Sequence, residues 1–157
     1  MKARLAALFV LVILVGAVAW EWHTDETDAR AHLLTTLDPD TIGRIDVALK
    51  GYPSQRFERR AGHWIDTSGI PADEGRADEL AALATTPVNA WKPSADFDAA
   101  KIGLASPAAV LVLDGTRIEF GEMTALGKQR YVRVGDRIAF VAAQALPRAP
   151  RTRNLPL

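Results

Sequence analysis

The sequence predicts an α+β fold: a mostly antiparallel β-sheet with two short helices, following an N-terminal transmembrane helix. Three observations predict it. Residues 5–20 are uncharged and largely apolar. From residue 42 onward, short stretches of alternating apolar and polar residues are punctuated by hairpin signals. Two further stretches, opening at Asp73 and at Ser94, carry helix start and stop residues.

The first element is the run LAALFVLVILVGAVAW, bounded by Leu5 and Trp20. Lys2 and Arg4 precede it and Glu21 follows at once, so the charge bias places the N-terminus in the cytoplasm and the rest outside. As a helix its sixteen residues span roughly 24 Å, short of a hydrocarbon core of about 30 Å. Trp20 and Trp22 extend the useful length by favouring the outer interface. Residues 1–22 are therefore read first as a single-pass membrane anchor. Ala17-Val18-Ala19 also fits a signal-peptidase site, which keeps a cleaved signal peptide open as the second reading. A buried soluble helix is disfavoured because the run is apolar on every side.

Residues 23–40 read as an acidic juxtamembrane linker, with a short helix leading away from the membrane as the other reading of residues 23–38. Between residues 21 and 40 there are six acids (Glu21, Asp25, Glu26, Asp28, Asp38 and Asp40) against Arg30 alone. The extracytoplasmic domain is expected over residues 41–147. It opens with a strand through Ile42, Ile45, Val47 and Leu49. FERRAGHWID reads as a hairpin turning at Ala61-Gly62, with Phe57 and Trp64 as core anchors. Asp73 is the N-cap of a helix whose apolar stripe is Ala77, Leu80, Ala81, Leu83 and Ala84. Thr86-Pro87 ends it, and residues 88–91 form a short strand. Residues 94–104 read as the second helix, capped by Ser94 and terminated at Gly103. Strands follow over 109–113, 117–120, 129–134 and 137–141, with Asp114-Gly115 and Gly135-Asp136 as turns. Residues 142–146 are expected to form a last helical turn. Residues 148–157 are an arginine- and proline-rich tail.

The two hairpins FERRAGHWI and RYVRVGDRIAFV, each followed by a helical stretch, echo one another. A duplicated βββα unit is one reading of that echo. The general likeness of antiparallel hairpins is the other.

Composition narrows function. Of 157 residues, 19 are basic and 19 acidic, so no global field attracts nucleic acid, and no nucleic-acid partner is expected. The chain has no cysteine, which excludes disulfides, thiolate chemistry and lipid attachment at a mature N-terminal cysteine. His23 and His32 lie among Asp25, Glu26 and Asp28 without a metal-ligand spacing, and read as a solvated linker. His63 reads as a strand histidine. Ser54, Ser68, Ser94 and Ser106 sit in no nucleophile motif and suit turns and caps. Asp114 and Asp136 adjoin turn glycines, and Glu119 and Glu122 flank Gly121; nothing selects a catalytic pair. Arg56, Arg59 and Arg60, with Arg130, Arg133 and Arg137, lie on strands, where the simplest role is a charged outward face. No catalytic, cofactor-binding or metal-binding residue is assigned.

The ordered pieces resemble the DUF4340 family, a bacterial envelope domain of unknown function. They are Gly62-His63-Trp64, the Asp73 helix with Leu80 and Leu83, and Phe97. Ile102-Gly103-Leu104 with Pro107, Ile118-Glu119-Phe120-Gly121, Arg130-Tyr131-Val132 and Phe140-Val141 follow. Arg153-Asn154 stands where the family tends to end in an Arg-Asp pair. The resemblance spans roughly residues 42 to 155. It implies an N-terminal membrane helix and an association with transporters or envelope assemblies. The family has no established catalytic residues, so none is carried over. The chain is shorter than many members, consistent with a single copy of a unit that others repeat.

The expected function is a membrane-anchored periplasmic interaction module without enzymatic activity. Its expected partners are the inner membrane, through Leu5 to Trp20, and an envelope protein. The alternatives are a secreted soluble binder of a small or polymeric ligand, and a hydrolase with an unrecognised carboxylate pair.

Overall fold

The computed structural model describes residues 31–67 and 72–150, together with Val15. The apolar run of residues 5–20, its cleavage site, the linker residues up to Arg30, Ser68 and the tail beyond Pro150 lie outside the described residues.

A folded unit begins at Leu33, earlier than the boundary at 41 that composition suggests. Leu33 pairs with Pro87, Leu34 is buried, and the amides of Leu34 and Thr35 donate to the carbonyls of Thr86 and Ala84. The Thr35 hydroxyl donates to the Ala84 carbonyl as well. Residues 33–37 thus form a strap against the domain, and their leucines are core rather than linker.

Eight strands follow: β1 (Arg44–Leu49), β2 (Gln55–Arg60), β3 (His63–Asp66), β4 (Val88–Pro93), β5 (Ala109–Leu113), β6 (Thr116–Met123), β7 (Gln129–Val134) and β8 (Arg137–Ala142). They make one sheet in the order β3-β2-β1-β5-β6-β7-β8-β4, every pair antiparallel. Two meanders, β1–β3 and β5–β8, join through β1 and β5. The turns are those that sequence chemistry demands. Ala61-Gly62 and Asp114-Gly115 both take positive φ at both positions, the requirement of a two-residue hairpin turn matched to strand twist.

Helix α1 (Glu74–Ala82) connects β3 at one edge of the sheet to β4 at the other, so it crosses one face. The Asp73 carboxylate caps it by accepting from the Arg76 amide. Ala77, Ala81 and Ala84 let the helical segment approach closely, and Leu80 fills the remaining space. Beneath them lie Ile45, Val47, Phe57, Trp64, Leu111, Leu113, Ile118, Phe120, Val132 and Val141. These are the alternate residues of each strand that sequence alternation selects. A polar end is provided for Trp64, whose indole N–H donates to Asp78 at 2.9 Å.

The second expected helix is absent. Residues 94–104 form a 3-10 turn (Ser94–Asp96) and a separate tight turn. Asp98 organises the latter: its side chain accepts from the Ala100 amide and its carbonyl from Lys101. Gly103, at φ 72°, then lets the amides of Leu104 and Ala105 both reach the Ala99 carbonyl. The start and stop residues were real, but they serve two turns instead of one helix. Likewise the expected helical turn over 142–146 is a non-helical turn, and no helix follows the second meander among the described residues.

The turn at Gly103 sits on β6. The Glu122 amide donates to the Ile102 carbonyl at 2.9 Å. A Cβ at Gly121 falls inside van der Waals contact of that carbonyl oxygen, and one at Gly103 meets the Glu122 amide nitrogen at 2.8 Å. β6 thus runs through Gly121 to Met123, beyond the end at Phe120 that the sequence predicts, and glycine at 121 is what permits this approach.

Candidate functional site

The sheet has a second face, opposite α1. At the β7–β8 end it is covered by the 94–105 segment, where Phe97, Ile102 and Leu104 pack with Tyr131 and Ile138. Phe97, Tyr131 and Phe140 form a cluster with ring centroids 5.2 to 6.0 Å apart. The same segment also covers β6 at Gly121, but across β2, β1, β5 and the Thr116-to-Glu119 part of β6 nothing among the described residues covers this face.

The residues there follow from strand alternation. Ile45 and Val47 point to the core, so Arg44, Asp46 and Ala48 point outward. Phe57 inward puts Arg56 and Glu58 outward; Leu111 and Leu113 inward put Val110 and Val112 outward; Ile118 inward puts Arg117 and Glu119 outward. Register then aligns Arg56, Asp46, Val112 and Arg117 in one row across four strands. With Ala48, Val110, Ser54 and Thr67 they line an open groove of about 520 Å³. Its floor is partly valine and alanine, and an arginine stands at each side.

Ion pairs order these arginines. Asp46 accepts from Arg44 at 3.1 Å and from Arg56. Glu119, one of two buried polar residues in the described chain, accepts from Arg117 at 2.8 Å and from Arg133. Glu58 pairs with Arg60 at 2.9 Å. Five arginines thus face three carboxylates, and the face carries a local positive excess although the whole chain is neutral. Each guanidinium is held in place by a carboxylate while Arg44, Arg56, Arg60 and Arg117 stay largely solvent-exposed. That arrangement preorganises planar donors for carboxylates or phosphates on a partner.

The arginines singled out from sequence divide between the faces. Arg56, Arg60 and Arg133 belong to the open face. Arg59 turns the other way, over the Trp64 ring at 4.5 Å, and donates to the Asp40 carbonyl. Arg137 stacks on Trp91 at 4.3 Å. Arg130 donates to the carbonyls of Gly121 and Ala143, and burial lowers its pKa from the usual arginine value. Arg44, Asp46 and Arg117 were missed by sequence reasoning. Their signal was present: each alternates with core residues in RIDVAL and TRIEF, so each shares a face with a neighbour two positions away.

The other candidates are structural or exposed. Asp114 accepts from the Gly43 and Arg44 amides, 2.8 Å to the latter, and ties the β5–β6 turn to the start of β1. The Asp136 carbonyl accepts from the Ser94 amide. Glu122 is exposed beside Gly103. His63 and Glu74 form an exposed pair at 2.8 Å. His32 and Ser106 are exposed, and Ser54 rims the groove. Among the described residues no group of three or more His, Asp or Glu side chains is arranged to hold a metal. No described helix is long and apolar enough to cross a membrane.

No family model, curated protein or solved structure matches the chain.

Proposed function

We propose that the chain is a membrane-anchored, non-enzymatic docking module of the periplasm, and that the open face of β2, β1, β5 and β6 receives an envelope protein. The carrying observation is the uncovered groove between Arg56 and Arg117, with exposed guanidinia held in fixed positions by Asp46 and Glu119. The positive excess of this face favours an acidic partner surface and would speed encounter with it. The membrane placement rests on the charge-flanked apolar run of residues 5–20 and on the likeness to DUF4340 proteins.

Affinity capture from crosslinked membranes tests the proposal, with the natural chain compared to an Arg56→Glu, Arg117→Glu variant. A partner recovered with the natural chain and reduced at least fivefold with the variant supports it. Equal recovery with both, or no partner with either, rejects it.

The groove's volume also lies within the roughly 300–1,000 Å³ of small-molecule pockets, which favours a soluble ligand binder as the second reading. That reading requires cleavage after Ala19. Mass spectrometry of the mature N-terminus separates the two.

A further inference from the structure

The described residues of the folded unit expose three large apolar side chains: Tyr52, Met123 and Leu126. Leu126 is 85 % exposed, Met123 54 % and Tyr52 48 %. Strand directions place all three at one end of the sheet. The chain runs up β1 and turns through Tyr52 into β2; antiparallel pairing through β5 makes β6 run the same way as β1, so the β6–β7 loop bearing Met123 and Leu126 emerges at that same end. β8 also runs this way, and β4 begins at this end opposite Val141. Leu33, which pairs with Pro87 just before β4, therefore enters the fold here too.

The charged residues of the two turns fit the same picture. Lys50 adjoins Tyr52, and Lys128 closes the Leu126 loop. Glu122, at the base of that loop, is an exposed acid at the same end, where β3 also ends at Asp66. The opposite end of the sheet is different: its turns are Ala61-Gly62, Asp114-Gly115 and Gly135-Asp136, with no large exposed apolar side chain. An aromatic, two flexible apolar side chains and two lysines on one surface are the composition of a membrane-interface contact.

We propose that this end of the domain rests on the bilayer, with Leu126 and Met123 entering the interface, Tyr52 at headgroup depth, and Lys50 and Lys128 on lipid phosphates. The proposal depends on the anchored reading above. Only ten residues (23–32) separate Trp22 from Leu33, a reach of at most about 40 Å, which keeps the lipid surface at high effective concentration for this end. Strands would then stand away from the membrane, and the arginine groove would look sideways, toward the extracytoplasmic parts of neighbouring membrane proteins.

The absence of cysteine makes a clean test available. The full chain carrying Leu126→Cys, or Asp136→Cys at the opposite end, is labelled with an environment-sensitive fluorophore and placed in nanodiscs of phosphatidylcholine doped with phosphatidylglycerol. Nitroxide lipids labelled near the headgroup should quench the probe at 126 at least twofold and leave the probe at 136 unchanged. Equal quenching at both sites overturns the proposal. So does a blue-shifted probe at 126 that nitroxide lipids do not quench, which would mean a protein contact instead. A chain retained in the disc but unquenched at 126 overturns this inference alone. A chain that is not retained overturns the anchored reading, and this inference with it.

Discussion

Gly103 and Gly121 show what a single residue decides. Each occupies a place where a Cβ would collide with backbone, and together they let the 94–105 segment lie on β6. Gly121→Ala should cost at least about 2 kcal/mol, since neither the strand nor the turn can yield without losing the hydrogen bond from Glu122 to Ile102. Urea unfolding of the variant measures this directly. Glu119 and His63 bracket the scale of ion pairing. Glu119 is nearly buried between two guanidinia, and Glu119→Gln should cost about 1–3 kcal/mol. His63 pairs with Glu74 in full view of solvent, and His63→Ala should shift the same transition by less than about 0.5 kcal/mol. Comparable losses in the two variants would mean that the open face is less well ordered than its ion pairs imply.

Among the elements, the strap of residues 33–37 is the least expected. Its sequence, LLTTL between acidic stretches, reads as a linker because five residues are too few to show a period. Its role appears only when Leu34 finds the core and Thr35 finds the Ala84 carbonyl. A chain beginning at Asp38 should lose about 3 kcal/mol relative to one beginning at Ala31, chiefly from the Leu34 cavity and the unpaired Ala84 and Thr86 carbonyls. Thermal melts of the two truncations decide it; equal midpoints would return the strap to the linker. The 94–104 segment failed for the converse reason. Ser94, Asp98 and Gly103 are good helix punctuation, but Asp98 bonds locally to Ala100 and Lys101 and so splits the segment in two. Phe97, Ile102 and Leu104 are apolar because they cap the far face of the sheet, not because they line a helix.

For the molecule as a whole, alternation made the strands legible, and Ala61-Gly62 and Asp114-Gly115 made their turns legible. Strand order was not, because the pairing of β1 with β5 and of β4 with β8 joins segments far apart in sequence. The open face was half legible. Which residues point outward follows from Ile45, Phe57 and Ile118 pointing in; that Arg56 and Arg117 end in one row follows only from register. β5 is apolar on both sides in the manner of a doubly buried strand, Leu111 and Leu113 toward the core and Val110 and Val112 toward the open face, yet these two valines floor a groove that nothing among the described residues fills. A partner on that floor is the central claim. A photoreactive amino acid at Val112, in the full chain in living cells, tests it most directly. The account predicts a discrete adduct to one protein that disappears with Arg117→Glu, and no adduct when the probe stands at exposed Glu79 on α1. No adduct from position 112, or the same adducts from both positions, would contradict it.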